Sequence, residues 1–173
     1  NLYYQELGEG YIAVMKYDIK NTIVIIAPDG EVVYTLKKYE TIVQRSKGNY
    51  YHKCGLGESE DAFIVRESGN NLYKVIAHDG GEICRFNTEE YISNGFHAGR
   101  VVFHDNYKIG YFDKKGISHN IPWKKNRYIY SIRVLANGNI ILNYEQNGLE
   151  KWILMDIEGN ELLSSKTPIH VIL

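Results

Sequence analysis

One short pattern recurs four times in this chain: an apolar run followed by a charged turn that ends in glycine. It reads VIIAPDG at residues 24–30, KVIAHDG at 74–80, GYFDKKG at 110–116 and ILMDIEG at 153–159. Glycine supplies the positive φ that a tight hairpin turn needs, and Asp or Asn tolerates or caps such a turn. The turns end 36 to 50 residues apart. Self-similarity at that period signals a β unit made again and again along the chain.

The segments around each turn complete the unit. A strand-like run precedes it at residues 11–17, 61–67, 100–105 and 139–144. Polar stretches at 18–21, 68–71, 105–108 and 145–148 separate that run from the next. Third strands are predicted at 31–36, 82–86, 117–123 and 160–165, and fourth strands at 41–46, 128–135 and 168–173. Runs such as VIIA and VVF are apolar on both faces, as strands covered on both sides are. In YIYSIRVL the alternation turns Tyr128, Tyr130, Ile132 and Val134 towards the core. Only residues 87–95 are suited to a helical turn, capped by Asn87 or Thr88.

The expectation is an all-β chain of four antiparallel, β-propeller-like blades with three to four strands each. It forms one domain over residues 1–173, with repeats at 10–57, 58–98, 99–137 and 138–173. Residues 1–9 are expected to add a closing strand to the last blade.

YKIGYFDKKG, followed by the Ile-Pro of Ile121–Pro122, resembles the bacterial WG repeat, with its Gly-Tyr-Ile-Asp-x-x-Gly element. The other three repeats share only the apolar run and the Asp/Glu-Gly turn. The resemblance implies a scaffold or partner-binding role and brings no catalytic residues with it.

Charge narrows the partner. Lys and Arg total 20 against 21 Asp and Glu, a balance that disfavours a nucleic-acid backbone as the main ligand. The six histidines show no HxH or HExxH spacing, so no local metal motif and no cofactor is predicted. The two cysteines, Cys54 and Cys84, do not make a disulfide framework; free thiols in the cytoplasm are the expectation. Export stays open, because the chain does not begin with Met. No apolar run reaches the length of a membrane span.

HDGGE, residues 78–82, packs His, Asp and Glu together, but neighbours in a tight turn point apart, whereas an acid–base pair must converge. The acids Asp29, Asp79, Asp113 and Asp156 recur at one place in the repeat, which argues for a turn role. The chain is therefore expected to be non-catalytic. Its unrepeated parts are the better candidates for binding. One is the long first-repeat insertion, residues 46–61, with Tyr50, Tyr51, His52 and Lys53. The other is residues 122–130, where Trp123, Lys124, Lys125, Arg127 and Tyr128 suit an acidic partner. The leading expectation is a protein partner, with a small bacterial inhibitor such as a toxin-neutralising immunity protein as the specific form. A carbohydrate- or cell-surface-binding module and a propeller-type lyase or glycosidase are the alternatives.

Overall fold

The computed structural model describes residues 3–16, 22–43, 62–93, 95–105, 107–123 and 127–170. Among them every regular element is a strand, and the sixteen strands form four four-stranded antiparallel sheets. The first sheet holds β1 (Tyr3–Gly8), β2 (Tyr11–Lys16), β3 (Thr22–Ile26) and β4 (Val32–Thr35). The second holds β5 (Glu40–Ile42), β6 (Ala62–Glu67), β7 (Leu72–Ala77) and β8 (Glu82–Asn87). The third holds β9 (Tyr91–Ile92), β10 (Val101–His104), β11 (Ile109–Phe112) and β12 (Ser118–Ile121). The fourth holds β13 (Ile129–Val134), β14 (Ile140–Gln146), β15 (Leu149–Met155) and β16 (Glu161–Ser165). In each, neighbours in sequence are neighbours in the sheet. The first two sheets make one compact unit and the last two a second.

The predicted four-bladed all-β architecture is what the chain adopts, with its phase moved by one strand. The strands expected to end the first and third repeats instead begin the next sheet: Glu40–Ile42 pairs with β6, and Ile129–Val134 pairs with β14. The leading segment likewise does not join the last sheet. β1 pairs with β2 and opens the first sheet. The described residues of 87–95 make no helical turn; Tyr91 and Ile92 pair with His104 and Phe103 across the sheet.

The repeated glycine turn has one geometry throughout. The N–H of its first residue donates to the carbonyl four residues on, and the glycine N–H donates back to the first carbonyl. This pair of bonds joins Ala27 with Glu31 and Gly30, Ala77 with Gly81 and Gly80, Asp113 with Ile117 and Gly116, and Asp156 with Asn160 and Gly159. A fifth copy, Leu135 with Asn139 and Gly138, joins β13 to β14. All five glycines have positive φ, from 75° to 92°, the signature of a hairpin closed by a glycine bulge.

This geometry leaves the N–H of the fifth turn residue outside the ladder, and a side chain takes it. Asp29, Asp79 and Asn137 accept it from the third turn position, on Glu31, Gly81 and Asn139. Asp113 and Asp156 accept it from the first position, on Ile117 and Asn160. The turn role of the repeated acids is thus real, but the acids occupy two positions and not one.

Gly110 has a different reason to be glycine. It faces Phe103 across β10 and β11, and a Cβ there would lie 2.3 Å from the Phe103 ring and 2.5 Å from the His119 carbonyl. The ring lies over the bare backbone, a common way to cover a strand glycine.

Apolar runs sit where their two-faced pattern put them. Ile25 in β3, Val75 in β7 and Val101 in β10 are fully buried. In the second unit one core joins Val102, Ile109 and Ile121 to Ile129, Ile140, Leu142, Tyr144, Ile153 and Met155. β13 departs from its alternation. A bulge between Ile129 and Ser131 sets two residues against one on β14, which reverses the facing of the strand's start. Ile129 enters the core at 2% exposure, and Tyr130 is turned out at 50%.

Candidate functional site

The bulge in β13 builds an exposed aromatic surface on the second unit. Tyr128 and Tyr130 flank the buried Ile129, with ring centres 5.2 Å apart and planes at 63°. Tyr107, from the connection between β10 and β11, meets Tyr128 edge-on at 5.8 Å and 85°. Exposures are 60% for Tyr107 and 37% for Tyr128. The surface is fixed from beneath. The Glu145 N–H donates to the Tyr128 carbonyl at 2.8 Å, and the Tyr107 N–H donates to Asp105 Oδ1 at 2.6 Å. The Tyr130 hydroxyl donates to Glu145 Oε2 at 2.6 Å. That bond, aided by slight burial and by the charges of Glu145 and Glu150, raises the Tyr130 phenol above its ordinary value.

Of the residues expected at this stretch, Tyr128 is exposed, whereas the strand alternation turns it towards the core. Trp123 and Arg127 do something else. Trp123 is half-buried against the second unit's core. Its indole N–H donates to the Arg127 carbonyl at 3.4 Å, and its ring meets Tyr144 edge-on at 5.3 Å. The Arg127 guanidinium lies over both rings, 5.7 Å from Trp123 and 5.0 Å from Tyr144. Arg127 thus caps the core edge with its charge on aromatic faces. Lys124 and Lys125 lie outside the described residues, as do Tyr50, Tyr51, His52, Lys53 and Cys54. Cys84 is buried on β8.

Sequence reasoning missed Tyr107 and Tyr130. In the sequence Tyr107 reads as part of a polar turn, and Tyr130 reads as core by an alternation that the bulge interrupts. No residue in YIYSIRVL marks a bulge, so the signal for Tyr130 is absent from the sequence.

The other clusters of chemistry-bearing groups are occupied by structure. Across the HDGGE turn, Asp79 accepts the Gly81 N–H at 2.8 Å while His78 stacks on Tyr11 at 4.2 Å. Asp113 reaches His119 with Oδ2 at 3.0 Å, and its Oδ1 holds the turn. The His119 bond and the turn N–H groups keep that carboxyl below its usual range. His119 itself is stacked on Tyr111 at 4.8 Å.

Glu40 is buried in the first unit. It takes Lys74 Nζ on Oε1 at 2.6 Å, and the Tyr34 hydroxyl and Lys37 N–H on Oε2 at 3.0 and 2.9 Å. Burial alone would raise this carboxyl, but those donors outweigh it and hold it low. Burial, the Glu40 bond and its charge push the Tyr34 phenol up to about 12. Every oxygen of Glu40 is engaged, so the group staples β4, β5 and β7. No group of three or more His, Cys, Asp and Glu side chains is set to hold a metal among the described residues. No helix there is long and apolar enough to cross a membrane.

No protein-family model matches the chain, and no curated protein matches it. Solved structures do. The β-propeller domain of Cps50 (Swd1) from Myceliophteria thermophila matches 99% of this chain at 10% identity, with a TM-score of 0.57. Hsv2 from Kluyveromyces lactis matches 93% at 11% identity, also at 0.57. Hsv2 from Kluyvelomyces marxianus matches 90% at 13% identity, at 0.54. This chain spans 58%, 50% and 46% of those chains, about half of each. At such identities the likeness concerns fold, and the fold it shows is β-propeller-like.

Proposed function

We propose that this chain is a non-catalytic binding domain whose partner is another protein, docked on the surface made by Tyr107, Tyr128 and Tyr130. The observation that supports this most is the packing of the three rings. Each is at least 37% exposed, yet each already rests on a neighbour. Aromatic side chains held in place lose little freedom on association and supply large contact area, which is why they concentrate at interface hot spots. The edge-to-face arrangement offers no flat platform for a sugar ring, and this favours a protein over a carbohydrate. The engagement of Asp29, Asp79, Asp113 and Asp156 by turn N–H groups supports a non-catalytic role.

Within this class, a cytoplasmic bacterial inhibitor that neutralises a toxin remains the specific form we favour. It is supported by the likeness of the GYFDKKG stretch to the bacterial WG repeat, which implies a partner-binding role. A toxin gene beside the parent gene, and co-purification of its product, is the expected result; a native pull-down of an unrelated metabolic enzyme would displace that form. The binding surface is tested by placing a photo-crosslinking phenylalanine analogue at Tyr128 in the native host. One discrete protein adduct is expected. An equally strong adduct pattern from the same analogue at Leu162, which is also exposed, would overturn the assignment.

A further inference from the structure

We propose that the tyrosine surface receives a basic segment of its partner, an arginine- or lysine-bearing stretch whose cation sits against Tyr128 and Tyr130 beside Glu145 and Glu150. This deepens the protein-binding reading and rests on it.

The local polar balance points that way. Glu145 on β14 and Glu150 on β15 are direct cross-strand partners. Like charges placed opposite one another destabilise a sheet, so the pair is a cost unless something positive joins it. Neither carboxylate belongs to an ion pair among the described residues.

The neutral donors nearby are already spent. Tyr130 gives its hydroxyl to Glu145, and Asn143 gives Nδ2 to Glu150 Oε1 at 2.6 Å. That second bond fixes the Asn143 amide, because a carboxylate only accepts. It leaves Asn143 Oδ1 buried with no donor, on a residue only 7% exposed. Among the described groups, acceptors therefore outnumber donors near the turn of the β14–β15 hairpin.

Among the described residues, the neighbouring cations are held elsewhere. Arg127 lies over Trp123 and Tyr144, Lys108 is on Glu90 at 2.7 Å, and Lys151 Nζ donates to Gln146 Oε1 at 3.0 Å. An incoming guanidinium or ammonium would supply the missing charge and donors, and exposed phenol faces attract cations through the ring quadrupole. A basic partner departs from the acidic one expected from the Lys-Arg content of residues 122–130, of which Arg127 is committed to the core edge.

The purified chain is titrated with three nine-residue synthetic peptides of Gly-Ser background bearing three Arg, three Lys or three Glu. Tyrosine side-chain resonances report binding. Saturable shifts of Tyr107, Tyr128 and Tyr130 are expected with the Arg and Lys peptides, falling as salt rises. Glu145→Gln combined with Glu150→Gln is expected to weaken both by at least about fivefold. These substitutions preserve shape and relieve repulsion, so the variant stays folded. Tighter binding of the Glu peptide would overturn the inference, as would unchanged affinity in the double variant. Lys124→Ser with Lys125→Ser serves as a control, and abolished Arg-peptide binding there would also overturn it. A discrete adduct at Tyr128 with no response to basic peptides would sink the charge assignment alone. A response to basic peptides with no adduct would instead sink the protein partner.

Discussion

Glu145 stands directly opposite Glu150 across β14 and β15, and Tyr130 donates its hydroxyl to Glu145 from β13. A sheet that tolerates this repulsion gives up stability at the place where its aromatic surface is richest. Glu150→Gln keeps an acceptor for Asn143 while removing one charge. It is expected to raise the melting temperature by about 1–3 °C, and the gain is expected to shrink in high salt. A scan in low- and high-salt buffer checks both.

The Glu40 staple is expected to behave in the opposite sense. Glu40→Ala strips the buried Lys74 ammonium of its partner and leaves the Tyr34 hydroxyl and Lys37 N–H without an acceptor. Removing one member of a buried pair costs about 3 kcal/mol or more, readable as a lower urea midpoint. Because the folded Glu40 carboxyl is held below its unfolded value, its contribution is present above the ordinary glutamate value. It is lost as pH falls through the lower folded value. Lys74→Met together with Glu40→Leu is expected to recover much of the loss.

His104 gives a second pH signature. Burial lowers its value, with the Asp105 carbonyl and the charges of Asp105 and Glu90 opposing that shift. The unfolded chain therefore binds this proton more readily than the folded one. Stability is full above the ordinary histidine value, declines as pH drops below it, and levels off under the folded value. In His104→Gln that component of the decline is expected to vanish. An NMR titration of His104 in the folded chain should give a midpoint below the ordinary histidine value.

Glycines that look alike in sequence are expected to differ sharply. At Gly30 an added Cβ meets nothing within 4 Å, so Gly30→Ala should cost about 1 kcal/mol of backbone strain. At Gly80 the Cβ would lie 2.1 Å from the Val33 carbonyl, and Gly80→Ala should cost roughly 3 kcal/mol or more. Gly110→Ala drives into Phe103 and is expected to cost about 2–3 kcal/mol. Urea midpoints of the three variants test the order.

The two kinds of aromatic in residues 122–130 separate the same way. Tyr128→Ala with Tyr130→Ala removes exposed rings and should leave stability within about 1 kcal/mol. Trp123→Ala opens the packing beneath Arg127 and should cost about 3 kcal/mol. Comparable losses from both would mean that Tyr128 and Tyr130 are packing residues.

The sequence made the hairpins legible because each needs a glycine at positive φ at a fixed place, and glycine is the residue that supplies it. It did not make the sheet boundaries legible. Strands such as Glu40–Ile42 and Tyr91–Ile92 are too short to carry a pattern, and their choice of neighbour is a matter of tertiary packing. Of the exposed tyrosines, only Tyr128 is a sequence candidate for binding, and the strand alternation turns it inward. Tyr130 reads as core until the bulge changes its facing, and Trp123 and Arg127 read as surface until their stacking on Tyr144 is seen. The insertion with Tyr50, Tyr51, His52 and Lys53 lies outside the described residues.

The five glycine-bulge hairpins share one demand: an acceptor for the N–H of the fifth residue. It can be met from the first or the third position, by Asp or by Asn. The demand belongs to the backbone, so the letters that satisfy it are free to migrate. Such a chain can drift a long way in sequence while every hairpin closes as before. Its ancestry is then better sought in the placement of acceptors around positive-φ glycines than in any consensus string. The same freedom hands a designer five sites, four held by Asp and one by Asn, where the acceptor can be moved two residues while the turn N–H keeps a partner.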